Sequence, residues 1–411
     1  MQAELIIIGN EITQGFTLDT NSVFLGRELG GLGVIVSRKT AVGDDKRDIV
    51  GAVRAAMKRT DLVICTGGLG PTCDDVTKKA VARMFGSRLV LNRDVLQHIE
   101  SRFALRGISM PAVNRGQAMV PDKASVLHNT QGTAPGLLFT KGRKRVALLP
   151  GVPHEMRAIW RESLRTLISE LTGRRAVACL TLRTFGLPES ALCQKLEPVE
   201  ALLTPGELAY QPGAGGVDLR LTFSGKNRRM LAAKLHDVAD RIVRILGQAV
   251  FGRDEETLAS VVGALLKEKN CTVTLAESCT GGLVSDRLTD VPGSSDYFIG
   301  SVVAYSNALK IRLLGVSGET LRSHGAVSTA TAREMARGAQ KRLGSDIGLG
   351  VTGIAGPSGG TSEKPVGLAC FGITGPKGTV VEERRFLGTR RIIKELSANT
   401  ALNLLRLYLL K

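Results

Sequence analysis

The heptad Ala276-Glu277-Ser278-Cys279-Thr280-Gly281-Gly282 sets two hydroxyls, a thiol and a glycine pair between a strand-like run, Cys271 to Leu275, and a helical pattern, Leu283 to Thr289. A strand-to-helix turn presents a side-chain oxygen beside backbone N–H groups at a helix N-terminus, which suits a nucleophile or an anion site. Two readings of the heptad stay open: Ser278 as a nucleophile, or Ser278 or Thr280 as a helix cap. Cys279 is a second nucleophile candidate and ranks below Ser278, because no histidine lies close to it in sequence.

Four more clusters carry side chains suited to the same pocket. Tyr305-Ser306-Asn307-Ala308-Leu309-Lys310 follows the strand-like Gly300 to Ala304, and Val351 to Pro357 follows Asp346 to Gly350. Gly359 to Pro365 reads as a flexible loop, and Gly388-Thr389-Arg390-Arg391 precedes the last helix. Loops at the carboxyl ends of strands build the sites of open parallel sheets, and Ser278, Tyr305 and Thr352 are expected just past such ends. The chemistry these groups permit is acyl transfer. A serine hydroxyl is a weak nucleophile until a base takes its proton. Lys310 is the candidate base, provided burial or a cationic neighbour lowers its ordinary pKa of about 10.4. The N–H groups of Gly281 and Gly282 are expected to stabilise an oxyanion, and Arg390 to clamp a phosphate.

A second constellation lies near the N-terminus, in Thr66-Gly67-Gly68-Leu69-Gly70-Pro71-Thr72-Cys73-Asp74-Asp75. Gly67, Gly68 and Gly70 would let backbone approach a phosphate, and the carboxylates of Asp74 and Asp75 could hold a hard cation such as Mg²⁺. The alternative is a tight turn with Asp74 capping the next helix. The stretch is not a P-loop, because no Gly-Lys-Ser/Thr ends it, and it does not match Gly-x-Gly-x-x-Gly.

The elements that must position these residues follow from apolar periodicity. Leu5 to Ile8, Val34 to Arg38 and Asp61 to Thr66 read as strands. Asn21 to Leu32, Lys46 to Arg59 and a segment capped by Asp74 or Asp75 and ending near Gly86 read as helices. That order predicts a parallel sheet covered on both faces, with a hairpin of Leu137 to Thr140 and Val146 to Leu149 at its edge. A change near Gly173 opens a small α+β module: strands Arg175 to Phe185 and Val217 to Ser224, helices Glu189 to Leu203 and Met230 to Leu246. The turn-prone Gly252 to Glu256 marks the next boundary, and another strand–helix alternation closes with a helix from Arg391 to Leu410.

At 411 residues the chain is expected to hold two or three domains. Hydrophobic residues at 43% and charged residues at 23% fit a globular protein, and no apolar stretch reaches membrane-spanning length. The first residues lack a signal-peptide pattern, so a cytoplasmic location with no membrane partner is expected. Seven scattered cysteines without a Cys-x-x-Cys pair argue against a disulfide framework or a zinc site. The net charge of +17 suits phosphorylated or otherwise anionic partners. The basic patches Lys141 to Arg145 and Lys226 to Arg229 read as solvated turns; aromatics at 4% are not interleaved with them, so a stacking platform for nucleic acid is unsupported.

These motifs carry a resemblance. Residues 257–411 resemble the C-terminal domain of the CinA family (competence/damage-inducible proteins), whose members include nicotinamide mononucleotide (NMN) deamidases. The resemblance rests on Ala276 to Gly282, Pro292 to Ser295, Tyr305-Ser306-Asn307 with Lys310, Gly325 to Ser328, Gly353 to Pro357 and Glu363 to Gly367. It implies hydrolysis of the NMN amide to nicotinate mononucleotide and ammonia without a cofactor. By position it implies Ser278 as nucleophile, Lys310 with Tyr305 as its activators, Thr352 in the pocket and Arg390 on the 5′-phosphate. The family often has an acidic residue where this chain has Thr389, which leaves Arg391 as an alternative phosphate holder.

Residues 1–170 resemble the molybdopterin-binding (MoaB/MogA-like) fold as it occurs at the CinA N-terminus. The motifs are Gly9-Asn10-Glu11, Asp19-Thr20-Asn21, Val42 to Asp45, the Gly67–Asp75 loop and Pro150 to Met156. This implies a metal-dependent ADP-ribose pyrophosphatase, with Asp44, Asp74 and Asp75 as metal or phosphate-water candidates and Glu11 beside them. The middle module resembles a small KH-type domain without the Gly-x-x-Gly loop of RNA binders.

The expected architecture is α/β: a doubly wound MoaB/MogA-like domain at 1–172, a small α+β KH-type-like module at 173–252, and a C-terminal α/β CinA domain at 253–411. The expected function is pyridine-nucleotide salvage by a homodimer or higher oligomer, acting on NMN and ADP-ribose. The alternative is a competence- or recombination-associated nucleic-acid-binding or accessory protein with inactive sites.

Overall fold

Alternate residues of the first strand, β1 (Gln2–Ile8), enter different cores: Ile6 and Ile8 pack on one side of the sheet, Leu5 and Ile7 on the other. A strand apolar on both faces must lie inside a sheet that helices cover twice. The computed structural model, which describes residues 1–72, 74–172, 176–204, 206–213 and 215–411, places it so. The expected boundary at Gly173, the strand start at Arg175 and Cys73 of the glycine loop lie outside the described residues. The chain divides into two units, Met1–Ala178 with Ser224–Ala232, and Cys179–Phe223 with Ala233–Lys411.

The main sheet of the first unit runs β2 (Ile35–Val42), β1, β3 (Leu62–Thr66), then β6 (Lys144–Leu149), β5 (Gly136–Lys141) and β4 (Ala124–Leu127). Strands β2, β1, β3 and β6 are parallel, while β5 and β4 are antiparallel. The expected hairpin is present, but not at the edge: β6 pairs with β3 inside the sheet. Helices α1 (Thr20–Gly31) and α2 (Lys46–Arg59) supply the buried Leu25 and Leu29, and Ile49 and Val53, to opposite cores. The next helix, α3, spans Thr77–Met84 with Val76 as its N-cap and no side-chain cap, so neither Asp74 nor Asp75 caps it.

The small module has four strands in the order β8 (Gly206–Gly213), β9 (Gly216–Gly225), β7 (Ala176–Thr184), β10 (Val250–Arg253). Strand β8 escaped the sequence reading: its half-buried, half-exposed alternation carries too few large apolar residues to stand out. In β9, Val217, Leu219, Leu221 and Phe223 are buried in strict alternation.

The last sheet runs β12 (Phe298–Val303), β11 (Val273–Glu277), β13 (Ile347–Gly353), β14 (Leu368–Gly375), β15 (Gly378–Arg385). Strands β12, β11 and β13 are parallel. Strands β14 and β15 are antiparallel, so the sheet is mixed where a parallel one was expected. One face buries Leu275, Leu349, Val351 and Phe371 beneath the closing helix, Arg390–Leu410. The opposite face receives the helix Thr329–Leu343 at very short range: a Cβ at Gly348 would stand 2.1 Å from Ala336 O, and one at Gly350 2.4 Å from Ala332 O. Only glycine permits that approach. Among the described residues no helix is long and apolar enough to cross a membrane.

Candidate active site

The carboxyl ends of β11 and β13 and the loop after β12 converge on a cleft of about 260 Å³ lined by Ser278, Cys279, Tyr305, Lys310, Thr352 and Arg390, among others. Ser278 follows β11 directly, with its N–H on Val351 O at 2.9 Å. Lys310 lies on the helix Asn307–Leu314, whose start is fixed by Ser306 Oγ accepting from Leu309 N–H at 3.2 Å. That geometry turns Lys310 into the domain, where it is 1% exposed. Its Nζ stands 3.0 Å from Ser278 Oγ, 2.9 Å from Ala304 O and 3.5 Å from Tyr305 O.

The chemical content lies in the partners. Two of the three are carbonyls, which only accept, so a neutral Lys310 amine gives its two N–H bonds to Ala304 and Tyr305 and leaves its lone pair for the Ser278 hydroxyl. Burial pushes the Lys310 pKa below the ordinary lysine value, while Cys279 acts weakly in the opposite sense. A desolvated amine within hydrogen-bond reach of a serine hydroxyl is the arrangement that general-base activation requires. Cys279 is the reverse case: burial pushes its thiol up to about 12, with the nearby Glu277 charge adding to the rise, so it is uncharged at neutral pH.

The helix after the serine begins at Leu283 with Gly282 as N-cap and no side-chain cap from either Ser278 or Thr280, which removes the capping alternative. Glu277 serves instead. Fully buried, its Oε2 accepts from the N–H groups of Gly282 at 2.9 Å and Val284 at 3.2 Å, and its Oε1 from Ser285 N–H at 2.9 Å and Ser285 Oγ. This corrects the role expected for the glycine pair. The Gly282 N–H is committed to Glu277 and the Gly281 N–H to Ser278 O at 3.2 Å, so neither is aimed at an oxyanion. Both glycines have left-handed φ, +63° and +98°, and that backbone path is what their type provides.

Tyr305 also differs from expectation. It is 61% exposed, and its hydroxyl accepts from Arg390 Nη2 at 2.9 Å; only its backbone carbonyl faces Lys310. Arg390 Nη1 donates to Gly356 O at 2.7 Å, so the guanidinium bridges the mouth of the cleft. Arg391 points elsewhere, paired with Glu395 at 3.0 Å. Thr389 is the N-cap of the last helix, accepting from Ile392 N–H, which accounts for a hydroxyl at that position. Thr352 is the penultimate residue of β13, on the strand and not past its end, and its hydroxyl donates to Ala326 O at 2.8 Å.

In the first unit, Gly9-Asn10-Glu11, Gly43-Asp44, Gly67–Asp75 and Pro150–Glu155 follow the ends of β1, β2, β3 and β6, around the point where the strand order reverses. Asn10 and Asp44 bind reciprocally: Asn10 N–H donates to Asp44 Oδ2 at 2.9 Å and Asp44 N–H to Asn10 Oδ1 at 3.2 Å. Asn21 Nδ2 donates to Gly151 O at 2.7 Å. A Cβ at Gly67 would meet Ile8 O at 2.0 Å, and the Gly67 N–H is committed to Leu149 O. At Gly68 and Gly70 a Cβ would press on Thr77 Oγ1 and on the Asp75 carboxylate. Gly67 therefore serves packing and offers no N–H to a phosphate. Asp75 Oδ2 accepts from Thr72 N–H and Oγ1, and Asp74 is exposed. Among the described residues no three His, Cys, Asp or Glu side chains converge as a metal cage.

Of the two basic patches only the first is a turn: Lys144 pairs with Asp61 at 3.0 Å, and Arg145 Nη1 donates to Gly142 O. Arg228 and Arg229 of the second open the helix Arg228–Leu246, where Asn227 Oδ1 accepts from Met230 N–H. Sequence reasoning missed Glu277, although it stands inside the heptad, because its bonds run forward around a turn and leave no periodic signal.

Comparison with known proteins bears on the family of each domain. Residues 255–409 match the CinA C-terminal domain, residues 4–170 a probable molybdopterin binding domain, and residues 180–252 the damage-inducible protein CinA KH domain. A CinA-like protein of Rippkaea orientalis is 41% identical over 416 residues, covering 100% of both chains. A CinA-like protein of Synechocystis is 44% identical over 368 residues, covering 89% of this chain and 88% of its own.

Proposed function

The chain belongs to the CinA family, and on that premise we propose that its C-terminal domain hydrolyses the carboxamide of NMN to nicotinate mononucleotide and ammonia. The observation that carries this reading is the buried Lys310 amine 3.0 Å from Ser278 Oγ at the floor of the cleft. Lys310 takes the hydroxyl proton as Oγ bonds to the amide carbon. The same proton then passes to the leaving nitrogen as the C–N bond breaks and ammonia departs. Water, deprotonated by Lys310, attacks the acyl-serine ester, and Ser278 recovers its proton as nicotinate mononucleotide leaves. No cofactor enters these steps. Arg390 uses two N–H groups within the protein and has others for the 5′-phosphate. Tyr305 holds that guanidinium, and through its carbonyl the lysine.

The test is ammonia release from NMN by the full chain. Ser278→Ala should abolish release with the fold retained, and undiminished release in that variant refutes the covalent step.

For the N-terminal domain the corresponding reading is ADP-ribose pyrophosphatase activity, with a divalent ion held by Asp44 or Asp75 and by the substrate's own phosphates. AMP and ribose 5-phosphate formed only with the metal present would support it; no product with any divalent ion tried would refute it. Both activities fit a cytoplasmic enzyme of pyridine-nucleotide salvage, and a homodimer is the expected assembly, to be read by light scattering.

A further inference from the structure

Thr352 lines the cleft yet is 1% exposed, and its Oγ1 lies 2.8 Å from Ala326 O. A carbonyl only accepts, so the hydroxyl proton is committed there. Whatever else touches that oxygen meets lone pairs. The rotor is held because its acceptor is held: Ser328 Oγ and Thr331 Oγ1 donate to Gly325 O at 3.3 and 2.7 Å, and Lys364 Nζ donates to Val327 O at 2.8 Å and to His324 O. The segment carrying Ala326 is thus fastened on both sides. A freely turning hydroxyl would donate to one ligand and accept from another. This one has a fixed sense.

We propose that Thr352 determines specificity at this site by accepting a hydrogen bond from the carboxamide nitrogen of the substrate and disfavouring the carboxylate that hydrolysis leaves behind. The proposal rests on the deamidase reading above. A primary carboxamide offers two N–H donors beside its carbonyl, whereas a carboxylate offers only acceptors. In the same pose the acid sets oxygen against oxygen in a desolvated position, so the arrangement favours the substrate over its own product and promotes product release.

The experiment measures binding of NMN and of nicotinate mononucleotide by calorimetry to full-length protein carrying Ser278→Ala, which prevents turnover. The preference for amide over acid should be about tenfold or more, the worth of one buried hydrogen bond. Adding Thr352→Val, of the same shape without the hydroxyl, should bring the ratio to within about threefold, and adding Thr352→Ser should preserve it. Because Lys310 is unchanged throughout, its attraction for the acid cancels from the change in ratio between variants, and a drop of about threefold or more on adding Thr352→Val is the decisive reading. An unaltered ratio in the valine variant, with wild-type protein still releasing ammonia, overturns the role of Thr352 and leaves the deamidase reading standing. No binding of either nucleotide and no ammonia from wild type overturns both.

Discussion

Replacing Glu277 by glutamine changes one oxygen to nitrogen at the most heavily bonded carboxylate of the candidate site. Four donations converge on that side chain, from Gly282 N, Val284 N, Ser285 N and Ser285 Oγ. A glutamine does best with its oxygen toward Gly282 and Val284 and its NH₂ toward Ser285, whose hydroxyl turns to accept. The Ser285 N–H is then orphaned, losing a charge-assisted bond of about 1.5–3 kcal/mol, and the two surviving bonds become neutral at a loss of about 1 kcal/mol each. Local opening of the turn should therefore become easier by about 3.5–5 kcal/mol, or roughly 400- to 4,000-fold. Hydrogen exchange by mass spectrometry on the peptide spanning 278–289 of the full chain reads this directly, as faster exchange at those amides. Because Ser278 adjoins Glu277, ammonia release should fall by about a hundredfold, the cost of a misplacement near 1 Å. Exchange within about threefold of wild type, together with full activity, would refute the reasoning, since it would mean that the carboxylate does not hold the turn.

Four further outcomes follow from the same geometry. Lys310 has a lowered pKa in the folded protein, so the base form and kcat/KM should rise with pH along a limb below the ordinary lysine value of about 10.4; Lys310→Met should remove that limb and cost about 10²–10⁴ in rate, and a limb surviving in the variant would exclude Lys310 as its source. For the same reason the unfolded chain binds more protons between the lowered and ordinary values, and the contribution of Lys310 to stability grows as pH rises through that window. Cys279→Ala should retain ammonia release to within about fivefold, where loss of a covalent nucleophile costs on the order of a millionfold, because burial keeps the thiol protonated up to about 12. Arg390→Ala should raise KM for NMN about 10- to 150-fold, and Arg391→Ala should leave it within about twofold; the reverse order would reassign the phosphate.

Much of the scaffold was legible because burial writes itself into spacing. The double-sided strand Gln2–Ile8 and the alternating Val217–Phe223 follow from apolar patterns of period two, which survive any change of neighbour. What the patterns cannot carry is direction between strands that pair far apart in sequence. The antiparallel hairpin of β14 and β15, which makes the last sheet mixed, and the interior position of β6 are decided by partners.

The amino-acid sequence by itself determined which chemical types are at hand: a serine on a tight turn with no histidine close to it in sequence, a lysine, an arginine at a helix start. Tertiary structure alone decided what each does, because a hydrogen bond has a sense that composition does not specify. Folding spends the Gly281 and Gly282 N–H groups on Ser278 O and Glu277, turns the Tyr305 hydroxyl to Arg390, and commits the Thr352 proton to Ala326. It also withdraws Lys310 from water, and that loss of hydration is what lowers the pKa of an otherwise ordinary lysine.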